Sequence, residues 1–271
     1  MLLPIMPSES ERTGNKRVRA LVTGGAIRLG RAIALALAEA GMDVAIGYHR
    51  SSSEARRTVA DLERRGVRAV AIRADLTRPG AAARLVERAA TALGGLEVLV
   101  NSAAAFRRTP FGSITSDQYD EFLALNLRAP LFCVQAAVEL MRRDGGHVVN
   151  VGDAAADRPL PGYIPYAVSK AGLVALTRNL AVALRSRRVA VNCVAPGPVL
   201  RPRGFPRDRW HTLTRNRTVS LGDVAAAVVF FATCPRSITG QTVAIDLERP
   251  TDFMGGLPMP PKPPQRSTGP G

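Results

Sequence analysis

Tyr166 and Lys170, four residues apart in the segment Tyr166-Ala-Val-Ser-Lys170, and Asp153, thirteen residues before the tyrosine, are the side chains of this sequence best suited to moving a proton. Residues four apart on an α-helix share a face, so the ammonium is expected beneath the phenol, where it favours the ionised form. A tyrosine whose pKa is lowered in this way is a usable general acid near neutral pH. The trio reads as a proton-delivery device for a reductase.

Such a device needs a hydride carrier beside it, and the N-terminal part of the chain has the elements to hold one. Val18-Arg19-Ala20-Leu21-Val22 is a short apolar run that suits a buried parallel strand, and it breaks at Thr23-Gly24-Gly25-Ala26-Ile27-Arg28-Leu29-Gly30. An alanine- and leucine-rich helical segment from Arg31 follows and is closed by Gly41. Strand, glycine turn and helix form the first half of a nucleotide-binding βαβ unit. Gly24 and Gly30 let the backbone pass close to a pyrophosphate, while the helix N-terminus supplies free N–H groups and a positive dipole end.

The second strand, from Asp43 to Tyr48, ends in His49-Arg50-Ser51-Ser52. An acidic residue about twenty positions after the glycines accepts a ribose 2′-hydroxyl, whereas an arginine accommodates a 2′-phosphate. Here there is no acid and there is Arg50, so NADPH is expected over NADH, with Arg28 and Ser51 assisting.

In order along the chain stand Thr23-Gly24 to Gly30, Asp75-Leu76, Asn101-Ser102-Ala103-Ala104, Asn126, Tyr166 with Lys170, and Pro196-Gly197. With these landmarks the sequence resembles the short-chain dehydrogenase/reductase family over about residues 17 to 247. The resemblance implies that Asp75 and Leu76 lie near the adenine and that the Asn101 segment lines the cofactor. It also implies that Asn126 holds a water relay with the lysine, that Lys170 binds the nicotinamide ribose, and that Pro196 and Gly197 belong to the cofactor site. A homotetramer built partly from the Asn126 and Tyr166 helices is implied too.

The usual partner of the tyrosine in that family is a serine thirteen residues earlier; here the position is Asp153, and no serine or threonine stands between Gly145 and Pro165. A carboxylate facing a carbonyl oxygen opposes the alkoxide that develops on reduction, so a simple ketone is a poor electrostatic match. The pteridine reductases of the family look like this chain, with Asp, Tyr and Lys in the same spacing. Arg28 stands where most relatives have glycine, His49-Arg50-Ser51 closes the second strand, and Phe106 follows the Asn101 segment. By that resemblance Phe106 stacks on the pterin ring opposite the nicotinamide, and the Arg28 guanidinium faces the cofactor phosphates.

The expected reaction is hydride transfer to a C=N bond of a pterin, with Tyr166 as proton donor and Asp153 positioning the pterin amino edge or relaying a proton. Two alternatives stand beside it. One is a 3-oxoacyl-carrier-protein or general carbonyl reductase of the same fold, whose basic surface would dock an acidic carrier. The other is a non-catalytic nucleotide-sensing or nucleic-acid-binding relative.

The elements around these residues alternate. Helical periodicity recurs at about 53–65, 78–93, 116–143, 166–185 and 221–233, with apolar strands between, which predicts an α/β fold: a single Rossmann-type doubly wound parallel sheet of about seven strands with helices on both faces. Residues 17–249 form the catalytic domain, and 201–218, with Pro202, Gly204 and Pro206, is the expected mobile substrate lid. Residues 1–16 read as a disordered leader and 250–271 as a Pro/Gly-rich tail. Leu247-Glu248-Arg249 replaces the two glycines that relatives commonly show after the last strand.

With 271 residues, 46% of them hydrophobic, the chain can bury one sizeable core, and no uninterrupted apolar stretch suggests a membrane span. Cys133, Cys193 and Cys234 have neither pairing nor metal spacing and read as buried thiols of a cytoplasmic protein without a metal. The net charge of +15 comes from 37 basic residues, only Lys16, Lys170 and Lys262 being lysines. The arginines are dispersed and lack interleaved aromatics, so the charge reads as solvated faces that attract anionic substrates and NADPH, with no nucleic acid as partner.

Overall fold

Buried parallel strands need apolar side chains on both faces, and β1, Arg19–Thr23, is buried at every position. In the computed structural model, which describes residues 17–247 apart from 142–144, 157, 203 and 215–216, Ala20 and Val22 face one core and Leu21 the other. β2 (Asp43–Tyr48) divides its residues the same way, with Val44 and Ile46 opposed to Ala45, and so does β4 (Val98–Asn101), with Val98 and Val100 opposed to Leu99. β5 (Gly146–Val151) and β6 (Val189–Pro196) are buried throughout, whereas the edge strands β3 (Ala69–Arg73) and β7 (Thr242–Ile245) are partly open.

The seven strands pair in parallel in the order β3-β2-β1-β4-β5-β6-β7. Helices α1 (Arg28–Glu39), α2 (Ser52–Glu63) and α8 (Leu221–Thr233) cover one face through residues such as Ile33, Leu37, Leu62 and Val228. Helices α3 (Ala81–Leu93), α5 (Ala129–Leu140) and α6 (Ile164–Ala183) cover the other through Leu85, Val86, Val134 and Ala181. Each fully buried Leu or Ile contributes about 1.5–3 kcal/mol of transfer free energy, so the two layers fix the alternation of every central strand. The strand order reverses between β1 and β4, and the crevice at their carboxyl ends is where an open α/β sheet holds its ligand. The doubly wound fold expected from the sequence is the observed one.

One expectation is corrected. The helix expected over 116–143 is instead α4 (Ser116–Leu123), a five-residue π turn, Ala124–Arg128, and α5, which ends at Leu140. In an unbroken α-helix the Asn126 carbonyl would receive the N–H of residue 130, and Pro130 has none, so the ladder widens there. An 18-residue stretch within the helical span Ser116–Leu140 reaches a mean hydropathy of 1.3, long and apolar enough by length and composition alone to cross a membrane, although no uninterrupted apolar run of that length exists. Its apolar residues Phe122, Cys133, Val134 and Ala137 are buried inside the protein. Within the segment 201–218 expected as a lid, Arg207–Thr214 forms α7. The leader 1–16 and the tail 250–271 lie outside the described residues, as do Glu248 and Arg249.

Candidate active site

The turn between β1 and α1 is shaped by its glycines. Gly24 has φ +68°, and a Cβ there would lie 2.9 Å from the Ala103 Cα, while a Cβ on Gly30 would collide with the Gly24 carbonyl. Thr23 locks the same turn to the end of β4, its Oγ1 accepting from the N–H groups of Ser102 and Ala103, each at 3.0 Å. The result is a narrow backbone cradle at a helix N-terminus, which fits a dinucleotide diphosphate.

That cradle opens into one cleft of about 1900 Å³ that runs the length of the sheet's carboxyl edge. Gly24, Arg28, Leu29, Gly30, His49, Arg50, Ser51, Asp75 and Leu76 line one end of it, and Phe106, Asp153, Tyr166, Lys170, Pro196 and Gly197 continue the lining. Of the site residues expected from the sequence, Asn101 and Asn126 alone do not line it. Asn101 is buried under the β4 end, donating to Asn150 Oδ1 at 2.9 Å; Asn150 donates in turn to Thr177 Oγ1 at 2.9 Å, which ties β4, β5 and α6 together. The rest of the Asn101 segment, Ser102, Ala103 and Ala104, does line the cleft.

Asn126, at the π turn, exchanges hydrogen bonds with Ala105, accepting from its N–H at 2.8 Å and donating to its carbonyl at 3.1 Å, and donates to Ser169 Oγ at 3.0 Å. It pins the loop after β4 to α6 and so places Phe106, whose ring stacks on Tyr163 at 4.9 Å and meets Tyr166 edge-on at 4.7 Å. Phe106 stays 43% exposed, so a face of this aromatic wall remains open to the cleft.

Asp153 sits at the start of the β5–α6 loop. Its backbone neighbours are fixed by Gly152 N–H to Val194 O at 2.8 Å and Ala154 N–H to Pro196 O at 2.9 Å. One carboxylate oxygen accepts from Ala155 N–H at 2.8 Å and the other accepts from the Tyr166 hydroxyl. The carboxyl therefore stands beside the phenol, as the spacing led us to expect.

The tyrosine's pKa moves opposite to the expectation. Burial raises it first, and the charge and hydrogen bond of Asp153 raise it further, well above the usual tyrosine range. Lys170 does not counter this: its Nζ donates to Val151 O at 2.7 Å and lies 6.0 Å from the Tyr166 ring centroid. Burial pushes the Lys170 pKa down, and the charges of Asp153 and Cys193 offset part of that. Tyr166 is therefore protonated in this structure, with its hydroxyl proton directed at Asp153.

At the other end, Asp75 accepts from the Thr77 hydroxyl at 2.6 Å and from its N–H at 3.1 Å, and these bonds hold its carboxyl below the usual range. His49 approaches Asp75 at 3.8 Å, and Arg50 is exposed on the cleft rim beside Ser51. Arg28 departs from expectation. In a left-handed conformation with φ +54°, it donates across the cleft to the carbonyls of Leu200 and Arg201, at 3.2 and 2.9 Å, after β6. Sequence reasoning missed Tyr163, Phe205 and Trp210, which also line the cleft; their aromatic character beside the Asp153–Tyr166 segment and inside 201–218 was the available signal.

Sequence comparison places this architecture in a class. Residues 18–206 match the short chain dehydrogenase family, and the chain belongs to it; it is an oxidoreductase of that family. The chain is 31% identical over 235 residues to the 3-oxoacyl-[acyl-carrier-protein] reductase FabG of Staphylococcus aureus, covering 84% of this chain and 96% of that protein. Among solved structures it is similar to a short chain dehydrogenase from Burkholderia cenocepacia in complex with NADP, with 40% identity, a TM-score of 0.79, and coverage of 86% of this chain and 98% of that one. It is also similar to a blue fluorescent protein from a metagenomic library in complex with NADPH, with 37% identity, a TM-score of 0.78, and coverage of 84% and 96%.

Proposed function

We propose that this protein is an NADPH-dependent reductase of C=N bonds in a pterin-like nitrogen heterocycle. The observation that carries the reading is the Asp153 carboxylate at the Tyr166 hydroxyl, in place of the family's neutral serine. The glycine turn would hold the cofactor diphosphate, Arg50 and Ser51 its 2′-phosphate, Asp75 and Leu76 the adenine side, and Lys170 the nicotinamide ribose; the choice of cofactor is supported by the similar structures that contain NADP or NADPH. When bound, the reduced nicotinamide supplies the hydride. Tyr166 gives its proton to the ring nitrogen and Asp153 accepts N–H donors from the amino edge of the heterocycle, an arrangement that rewards nitrogen heterocycles and penalises oxyanions. The Phe106–Tyr163 wall offers a flat ring a stacking surface.

A second reading is a 3-oxoacyl-thioester reductase, and the curated relatives, such as the Staphylococcus aureus enzyme, speak for it. Against it stands the cost of a carboxylate beside a developing alkoxide. NADPH consumption with a dihydropterin decides for the first reading if it is present in the native protein and falls by about 10²–10⁴-fold in Tyr166→Phe, the usual worth of a positioned acid. Absence of dihydropterin-dependent consumption overturns it. If no substrate at all is turned over and DNA is retained tightly, the protein is a binding relative and not an enzyme.

A further inference from the structure

Besides Asp153, two of the acids that line the cleft are already matched. Glu121 is paired with Arg107 at 2.6 Å, and Asp246 lies 3.8 Å from Arg158. Three further guanidiniums line the same cleft: Arg108 from the loop after β4, Arg209 on α7, and Arg217 beyond it, all exposed. Among the described residues none of the three is paired with a carboxylate. Arg209 lies 6.0 Å over the Phe205 ring, Arg217 donates to the Leu247 carbonyl at 3.2 Å, and Arg108 reaches over Gly162. Arginine forks match carboxylate and phosphate oxygens two bonds at a time, and each of these keeps donors to spare. They stand on three separate segments that all line the same cleft, so this positive charge does not simply coat one helix.

We propose that Arg108, Arg209 and Arg217 form a subsite for an anionic tail on the substrate, a carboxylate or phosphate carried on the group that leaves the cleft while the reacting ring or carbonyl rests at Tyr166. The proposal rests on the reductase reading of Asp153, Tyr166 and Lys170, and not on the choice between pterin and thioester. It predicts that, within one reacting group, the charged-tail substrate is preferred, and that the preference belongs to these arginines.

The test uses two matched pairs with the full chain and NADPH: dihydrofolate against 7,8-dihydrobiopterin, and acetoacetyl-coenzyme A against the uncharged acetoacetyl-N-acetylcysteamine. The ratio of kcat/KM for the charged member to that for the uncharged member is measured in native protein, in Arg209→Ala/Arg217→Ala, in Arg108→Ala, and in Arg88→Ala as an exposed arginine outside the cleft lining. A melting curve for each variant shows that it is folded. Loss of one charge-assisted contact is worth about tenfold or more, so the ratio falls by at least that factor in the double variant, less in Arg108→Ala, and stays constant in Arg88→Ala. Raising the salt lowers the native ratio more than that of the double variant, which keeps only Arg108 of the three, because these arginines are exposed. A ratio that is the same in native protein and double variant overturns the subsite. Turnover of the thioester pair alone overturns the pterin reading while the subsite is still tested by that pair, and turnover of neither pair overturns both.

Discussion

Replacing Asp153 by serine restores the residue usual in the family and should invert the substrate preference. The backbone on either side is held by Gly152 N–H to Val194 O and Ala154 N–H to Pro196 O, and a serine Oγ can still cap the Ala155 N–H in the way a hydroxyl caps a turn, so the loop keeps its path. A nitrogen heterocycle loses an ionised acceptor, and hydrogen bonds to charged groups are worth about 1.5–3 kcal/mol, or about 10–150-fold in kcat/KM. A ketone gains the opposite. Two unit negative charges about 4 Å apart repel by about 4 kcal/mol at an effective dielectric of about 20 and about 1 kcal/mol in water. Asp153 is only half-buried, so a relief of about 1–2 kcal/mol, about 5–30-fold, is the working figure. The ratio of dihydropterin to acetoacetyl-thioester kcat/KM should therefore drop by about 10²–10³-fold, read by steady-state NADPH consumption on both substrates. The pH profile gives a second readout. Asp153 supplies two of the causes that hold the Tyr166 proton, so the tyrosine's pKa falls in the variant and the alkaline limb of activity moves to lower pH. A dihydropterin kcat/KM within twofold of native, with no gain on the thioester, would refute the assignment of the carboxyl to substrate selection.

Two further outcomes are expected. Arg50→Ala should raise the KM for NADPH by about 5–30-fold, the worth of an exposed charge-assisted phosphate contact, with the NADH value little changed; equal effects on both cofactors would remove Arg50 from the 2′-phosphate. His147, nearly buried at the start of β5 with its Nδ1 unpartnered among the described residues, has its pKa lowered by burial and by Arg236. The folded state resists a proton that the unfolded chain takes up at about pH 6.5, so stability is full above that pH and is lost as pH falls below it; His147→Gln should lessen the drop in urea midpoint between pH 7 and pH 5.

Much of the frame was readable in the sequence because it depends on local pattern. β1, its glycine turn and α1 announce themselves through an apolar run, two glycines and a 3.6-residue period, and the Asp153–Tyr166 spacing already implied a shared site. What escaped depends on contacts between distant segments. Periodicity cannot register one widened turn, so the break at Asn126 was hidden, although Pro130 marked it. α7 is eight residues long, too short for a periodic signal between prolines and glycine. The direction of the Tyr166 pKa required knowing that the Lys170 ammonium binds Val151 O while the carboxyl of a different element meets the hydroxyl. Arg28 crosses the cleft because its positive φ aims it at a loop 172 residues away, which no motif records.

The central claim is that a carboxyl at the tyrosine selects nitrogen heterocycles over ketones. Internal competition measures this most directly: one reaction containing NADPH, a dihydropterin and an acetoacetyl thioester at equal concentrations, with the two products quantified at low conversion, reports the ratio of the two kcat/KM values. The account predicts tetrahydropterin in excess by about tenfold or more, as a single charge-assisted contact requires. Hydroxybutyryl thioester as the major product would contradict it.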